Sequence, residues 1–193
     1  MSTGAIIGIV VVLVVLAVVA VLLNKYLQRR RLQEKFGPEY DRTVESSDNR
    51  MAAERELADR QRKHSKLELR PLTPQARDSY GRHWSRIQEQ FVDAPAGAVA
   101  EADILVIDLM AERGYPTEGY EQQAELLSVE HSRTLDHYRS AHEISQRDKA
   151  GDASTEDLRN AMVHYRTLFQ DLLGKGGDRT PEDRANDDRA HKA

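Results

Sequence analysis

The feature that most constrains this chain of 193 residues is an uninterrupted apolar run from Ala5 to Leu23. An α-helix rises ~1.5 Å per residue, so the run reaches roughly 28 Å, close to the ~30 Å hydrocarbon core of a bilayer. Val, Ile and Leu dominate the run, and each of them favours the membrane interior. The sequence therefore predicts a transmembrane helix over residues 5–23, preceded by a short tail over residues 1–4.

A cleavable signal peptide is the main alternative for this run. Signal peptides carry basic residues before an apolar core of ~7–15 residues, which is shorter than this one. No basic side chain precedes Ala5, but Val18 and Ala20 offer a small-residue cleavage site. Release of an exported protein by cleavage near Ala20 is therefore kept as a second hypothesis. A lipoprotein anchor is excluded, because the chain contains no cysteine.

The orientation of the helix is predicted from the basic side chains that follow it. By the positive-inside rule, they place the N-terminus outside the cell and everything after Asn24 in the cytoplasm of a single-pass membrane protein. They can also contact the anionic headgroups of the bilayer. The topology and lipid-facing cluster consists of Lys25, Arg29, Arg30, Arg31 and Lys35.

Residues 24–70 form a basic flank and a charged juxtamembrane segment. The break at 36–38 (Phe-Gly-Pro) ends the membrane helix, because glycine and proline together interrupt the helical ladder. From Asp48 to Arg70 the chain reads as a solvated helix, supported by acid-to-base pairs at i, i+4: Glu56 with Arg60, and Asp59 with Lys63.

Residues 71–173 are predicted to form a small antiparallel helical bundle. Thr73 and Pro74 begin the first helix, and the second helix stops at Gly114 and Pro116. Thr117 is predicted to cap a third helix, and a fourth restarts at Ser128. Ser154 or Thr155 caps the last helix. The fold class is therefore all-α, with a disordered tail over residues 174–193.

Four aromatic side chains have two possible roles. Aromatics at helical spacing are most often core residues, but aromatics also anchor protein interfaces. The sequence leaves both roles open for Tyr80, Trp84, Tyr138 and Tyr165.

The chain contains no recognisable sequence motif for catalysis or metal binding. No Glu-x-x-His pair, no second His after His142-Glu143 and no Gly-x-Ser-x-Gly elbow occurs. We therefore predict no catalytic residue, no cofactor and no metal site, and we identify no small-molecule substrate. The net charge of −4 argues against general nucleic-acid binding.

Several strings along the chain carry a resemblance. They are Phe36-Gly37-Pro38-Glu39-Tyr40-Asp41-Arg42-Thr43, Phe91-Val92-Asp93, Ala98-Val99, Glu101-Ala102-Asp103, Arg113-Gly114-Tyr115-Pro116, Glu156-Asp157-Leu158-Arg159 and His164-Tyr165-Arg166. With them the chain resembles a family of uncharacterised actinobacterial proteins that have one N-terminal membrane helix. The resemblance implies the same single-pass architecture, and it brings no activity or site residue.

The functional hypothesis rests on three features: a predicted membrane anchor, a predicted helical domain, and the absence of any catalytic or metal-binding motif. It is a membrane-anchored cytoplasmic interaction or scaffolding module, not an enzyme, with a protein partner at the membrane. The alternative is a bundle enzyme or ligand binder whose pocket lies between helices and uses His137, Tyr138 or His164.

Overall fold

A computed structural model describes residues 3–174 of the chain, with side chains described from Val12 onward. This part contains eight helices and no strand, which confirms the all-α class. The chain separates into two compact units, Met1–Arg62 and Lys63–Ala193. The helices are α1 Thr3–Phe36, α2 Pro38–Ser46, α3 Arg50–His64, α4 Pro74–Gln90, α5 Pro95–Glu112, α6 Tyr120–Glu130, α7 Leu135–Lys149 and α8 Thr155–Leu172.

The N-terminal unit begins with a single helix of 34 residues, α1, which includes the apolar run and the basic residues that follow it. Its segment Val12–Phe36 is long and apolar enough to cross a membrane. The large apolar side chains from Val12 to Leu27 are exposed, whereas Leu32 and Phe36 are buried. The predicted break after Phe36 is confirmed: Gly37 has φ 49°, and Pro38 opens α2 at its first turn. Helix α2 itself was not predicted.

Charged side chains tie α2 to α3 within the N-terminal unit. The Tyr40 hydroxyl donates to the Glu54 carboxylate at 3.0 Å, and the Arg60 guanidinium binds the buried Glu39 at 2.8 Å. The predicted pair of Glu56 with Arg60 is confirmed. Buried apolar side chains come from each of the three helices: Leu32, Phe36, Tyr40, Ala53 and Leu57.

The charged helix predicted to run to Arg70 is shorter in the structure, and one predicted ion pair is wrong. Helix α3 ends at His64, and the following segment places Leu67 and Leu69 against the bundle core. Burial of two leucines there outweighs the helix propensity of a charged segment. Lys63 binds Glu125 at 2.8 Å and not the predicted Asp59, which pairs with Arg62.

The C-terminal unit is a bundle in which α5 lies beside α4 and α8, and α7 lies beside α8. The predicted first helix is confirmed, because the Thr73 hydroxyl accepts the amide of Ala76 at 3.1 Å and Pro74 occupies the first turn. The largest buried side chains of the core include Ile87, Leu105, Leu109, Met110, Leu127, Leu135, Tyr138, Tyr165, Leu168 and Leu172.

The predicted stop at Gly114 is also confirmed, and it takes the form of a Schellman motif. The amide of Gly114 donates to the carbonyl of Ala111, and the amide of Tyr115 donates to that of Met110, both at 2.9 Å. Gly114 has φ 91°, and a Cβ there would lie 2.5 Å from the backbone oxygen of Glu68. Both the conformation and the close approach therefore require glycine.

Two predicted helix starts are wrong. Helix α6 begins after Gly119, because the carbonyl of Thr117 accepts the side-chain amide of Gln123 and the amide of Gly119. Ser128 lies inside α6, buried, and the chain breaks only after Glu130. The break occurs where Thr134 and His131 bind Asp171 of α8, a contact that local sequence does not encode.

The final helix begins as predicted. Ser154 and Asp157 form a capping box, in which the Ser154 hydroxyl accepts the amide of Asp157 and the carboxylate of Asp157 accepts the amide of Ser154. Its backbone turns at Gly174, with φ 85°. The predicted disordered tail lies outside the described residues from 175 onward.

Candidate functional site

An apolar groove of about 180 Å³ lies between α4 and α8 of the bundle. The Trp84 ring lies at its base, stacked on Phe169 with centroids 4.7 Å apart, and Val163 is 57% exposed at its mouth. One face of the indole therefore belongs to the core while another reaches the groove. The lining residues are Trp84, Gln88, Phe91, Arg159, Met162, Val163 and Arg166.

The charge of this groove is entirely positive. Its lining includes Arg159 and Arg166, both exposed, and no acidic residue. Arg159 pairs with Glu156 along the helix, while Arg166 has no ion pair among the described residues. An apolar base with a basic rim suits an apolar side chain flanked by carboxylates.

The other three predicted aromatics lie elsewhere. Tyr138 is buried and its hydroxyl donates to the Gln123 side-chain oxygen at 2.6 Å, while the buried Tyr165 donates to Asp103 at 2.8 Å. Burial raises the pKa of both tyrosines well above the ordinary range. Tyr80 is half-buried against the core. Of the four, Trp84 alone lines the groove.

Three histidines of the bundle contact one another or an aromatic ring, and two of them, His137 and His164, belong to the inter-helix pocket predicted from the sequence. The Nδ1 atoms of His137 and His164 lie 2.8 Å apart, so one of the two must be an unprotonated acceptor. His142 stacks on Tyr120 with centroids 3.8 Å apart. Burial lowers the pKa of His142 and of His164, and the neighbouring His137 lowers that of His164 further.

Metal binding has no cluster to support it in the described part of the chain, where no group of three or more His, Asp or Glu side chains converges. Neither this groove nor the one described below is lined by His137, Tyr138 or His164.

A polar cluster that sequence reasoning missed holds the α6–α7 loop against α8. The Asp171 carboxylate contacts His131 Nδ1 and the Thr134 hydroxyl, each at 2.7 Å. Burial raises the pKa of Asp171, but the hydrogen bonds from His131 and Thr134 outweigh it and hold the pKa below its usual value. No spacing rule joins residues about 40 positions apart, so only the tertiary structure identifies this cluster.

The predicted basic cluster is spread around α1. Arg30 pairs with Glu34 at 3.1 Å, and Arg29 lies beside Tyr40. Of the cluster, Lys25 alone lines a second groove, which has a volume of about 600 Å³ between α1 and α3. Its lining residues are Lys25, Gln28, Arg50, Met51, Glu54, Arg55, Ala58 and Arg62.

Comparison with known proteins does not add to these observations. No family model, no curated protein and no solved structure matches this chain. The resemblance to an actinobacterial family stays a prediction.

Proposed function

We propose that this protein is a membrane-anchored interaction module, in which α1 is the anchor and the bundle binds a partner at the bilayer surface. The observation that carries the proposal is the contrast between two apolar surfaces. From Val12 to Leu27 the large apolar side chains of α1 lie outside any core, while the bundle buries most of its own and leaves an apolar groove at Trp84. The first surface is matched by lipid, and the second has the size of a site for one side chain of a partner.

The side of the membrane is proposed from the basic residues of α1. Lys25 lies two residues after the apolar run, and Arg29 to Lys35 extend along the same helix. The positive-inside rule places this end of α1, and the bundle after it, in the cytoplasm. A reporter fused after Ala193 tests this: cytoplasmic-type activity is expected, and activity only of an extracytoplasmic reporter would reverse the orientation.

The partner at the groove is proposed to be an acidic amphipathic segment of another protein. The apolar base accepts one large side chain, and the exposed Arg166 pairs with a carboxylate beside it. Tethering at the bilayer raises the effective concentration of membrane-bound partners, so a modest intrinsic affinity is sufficient.

Fluorescence of the single tryptophan tests this proposal, because Trp84 lies in the groove. Amphipathic peptides that share one leucine face and carry either Glu or Lys on the other face serve as probes. The Glu peptide is expected to shift the Trp84 emission, and Arg166→Glu should weaken its binding about tenfold. The matched control is Arg133→Glu, an exposed arginine outside the groove. Equal binding of the Lys peptide, or equal loss in both variants, would contradict the proposal.

One observation bears on the ligand-binder alternative, the His137–His164 contact. A bound ligand would have to separate two imidazoles that now lie 2.8 Å apart. The export alternative is tested by the N-terminal mass of the mature protein. An intact Met1 supports the anchor, and a start near Val21 would replace it with a secreted protein.

A further inference from the structure

We propose that the groove between α1 and α3 is a binding site for the phosphate headgroup of an anionic phospholipid. Four basic side chains line it, Lys25, Arg50, Arg55 and Arg62, against the single acid Glu54. The inference rests on the proposed function in one respect only, namely that α1 is embedded in a bilayer.

The charge in the groove is available to a ligand. Glu54 already accepts the Tyr40 hydroxyl at 3.0 Å, and its single negative charge is outnumbered by the positive charges of Lys25, Arg50 and Arg55. Lys25, Arg50 and Arg55 form no ion pair with any residue in the part of the chain that the structure describes. Arginine binds phosphate oxygens in bidentate geometry, and lysine adds a point charge.

The position of the groove along α1 matches the depth of lipid phosphates. With a rise of 1.5 Å per residue, Lys25 and Gln28 lie about 3 Å and about 7 Å beyond the last apolar residue, Leu23. The headgroup layer on each side of the hydrocarbon core is about 5–7 Å thick. The two α1 residues that line the groove therefore span the headgroup layer.

The groove is also amphiphilic, which favours a lipid over a free phosphate. Met51 is 57% exposed and lines the groove together with Ala58, next to the cations. Arg55 extends back to within 3.9 Å of the Met51 sulfur, so the apolar and basic parts adjoin. Inorganic phosphate has nothing to place against Met51, whereas a phospholipid has its glycerol and the first acyl carbons.

Helix α3 explains why this site was not visible in the sequence. The predicted lipid-facing residues all lie on α1 after the apolar run, whereas Arg50, Arg55 and Arg62 come after the break at Gly37 and a further helix. The fold places α3 across the groove from Lys25 and Gln28 of α1, and this adds three arginines to the charge beside Lys25.

Native mass spectrometry of the full chain in detergent micelles tests the inference. Phosphatidylglycerol and phosphatidylcholine, with matched acyl chains, are added in turn, and the lipid retained by each protein is counted. We expect preferential retention of phosphatidylglycerol. Arg50→Gln with Arg55→Gln should weaken this binding about fivefold for each arginine, hence roughly 25-fold. The double replacement by lysine should restore most of it.

The matched control removes the same charge from α4, outside the groove and outside the basic cluster of α1, through Arg82→Gln with Arg86→Gln. Both arginines are exposed, and so are Arg50 and Arg55, so neither pair of substitutions is expected to disturb the fold. Retention of phosphatidylglycerol unchanged in the control and lost in the groove variant supports a site. Equal losses, or equal retention of phosphatidylcholine, would overturn it in favour of diffuse attraction.

The last part of the experiment is a competition with soluble glycerol phosphate and with inorganic phosphate. Neither should displace phosphatidylglycerol at equal concentration, and full displacement would overturn the assignment to a lipid. Failure of the proposed function is distinguishable, because a chain cleaved near Ala20 would not fractionate with membranes at all. An intact anchored chain without lipid preference would overturn this inference alone.

Discussion

Helices α1 and α5 are both rich in Val, Leu, Ile and Ala, yet they meet opposite environments. The large apolar side chains of α1 from Val12 to Leu27 are 43% to 61% exposed. Helix α5 buries its apolar face against α4 and α8, with Ala98, Val99, Ala102, Leu105, Val106, Leu109 and Met110 all in the core.

The difference teaches which apolar helices a protein can cover by itself. Helix α5 carries Glu101, Asp103 and Asp108 on the turns between its buried residues, so one face can remain in water. The run from Ala5 to Leu23 has no polar face, and a helix that is apolar on all sides is covered either by the core of a large protein or by lipid. Its apolar surface leaves water by entering lipid in our proposal, since burial from water is favourable in either environment.

The largest expected effect comes from adding charge to α1. Each arginine at the centre of a membrane helix costs about 2.5–3.5 kcal/mol on insertion scales, so Leu13→Arg with Leu16→Arg should cost about 5–7 kcal/mol. This cost offsets the favourable free energy with which the apolar run enters the bilayer. We therefore expect the doubly substituted chain to be lost from carbonate-washed membranes. Ile104→Arg in α5 is the control, because Ile104 and Leu16 are each 58% exposed. A doubly substituted chain that stays integral would refute the anchor.

The second prediction compares α5 with α1 by removing apolar volume from each helix in turn. Leu109 in α5 is fully buried, so Leu109→Ala should destabilise the bundle by about 2–5 kcal/mol through the lost burial and the cavity left behind. Leu22→Ala in α1 should leave the unfolding of the bundle unchanged. Urea unfolding followed by Trp84 fluorescence measures both. Equal losses in the two variants would mean that α1 contributes to the stability of the bundle.

The third prediction concerns where the bundle begins. Leu67 and Leu69 pack on the core, and the amide of Arg70 donates to the carbonyl of Arg113 at 3.0 Å. A fragment over 63–174 should therefore be more stable than one over 71–174, by about 2–3 kcal/mol for two partly buried leucines. Thermal and urea unfolding compare the two. Equal stability would place the start of the domain at Pro71.

The fourth prediction tests the end of α5. Gly114→Ala should cost about 1–3 kcal/mol, because alanine is strained at positive φ and its Cβ would meet the oxygen of Glu68. Gly81→Ala inside α4 should instead stabilise by about 0.5–1 kcal/mol, since a Cβ there meets nothing within 4 Å. The signs of the two changes are read from chemical denaturation. An unchanged free energy of unfolding for Gly114→Ala would show that the loop containing Glu68 moves away from the new Cβ.

The smallest expected effect is a dependence of the stability of the bundle on pH. Burial lowers the pKa of His164 and of His142 below their unfolded value, so the unfolded chain binds more protons as the pH falls through that value. Stability should therefore decline from about pH 7.5 to about pH 5.5, the range in which an unperturbed histidine titrates. His142→Gln with His164→Gln should flatten the decline. An unchanged slope would assign it to other groups.

The parts of the fold that local residues encode were predictable from the sequence. Thr73, Gly114 and Ser154 mark helix ends through contacts with residues a few positions away, and the Gly37-Pro38 pair breaks α1 for the same reason. The prediction was wrong at Thr117 and Ser128, where contacts from Gln123 and from Asp171 of α8 decide the boundaries. Asp171 lies 37 residues from Thr134, and so distant a partner has no signature in a single sequence.

In each candidate site, one residue was singled out from the sequence, and the structure supplied the others. Lys25 and Trp84 were singled out from their surroundings in the sequence, the first by the apolar run before it and the second by helical spacing. What completes each groove lies on another helix: Arg50 and Arg55 on α3 for the first, and Val163 on α8 for the second.

The sequence by itself determined that the fold is all-α and that one helix carries an uninterrupted apolar run. It also determined where α1 and α5 end and where α4 and α8 begin. Those properties depend on hydrophobic periodicity and capping, which act over a few residues. Only the tertiary structure decided that Tyr138 and Tyr165 lie in the core while Trp84 reaches a groove, and that α3 returns to Lys25. These outcomes depend on which helix faces pack together, and that choice is made by the free energy of the whole fold rather than by any segment of it.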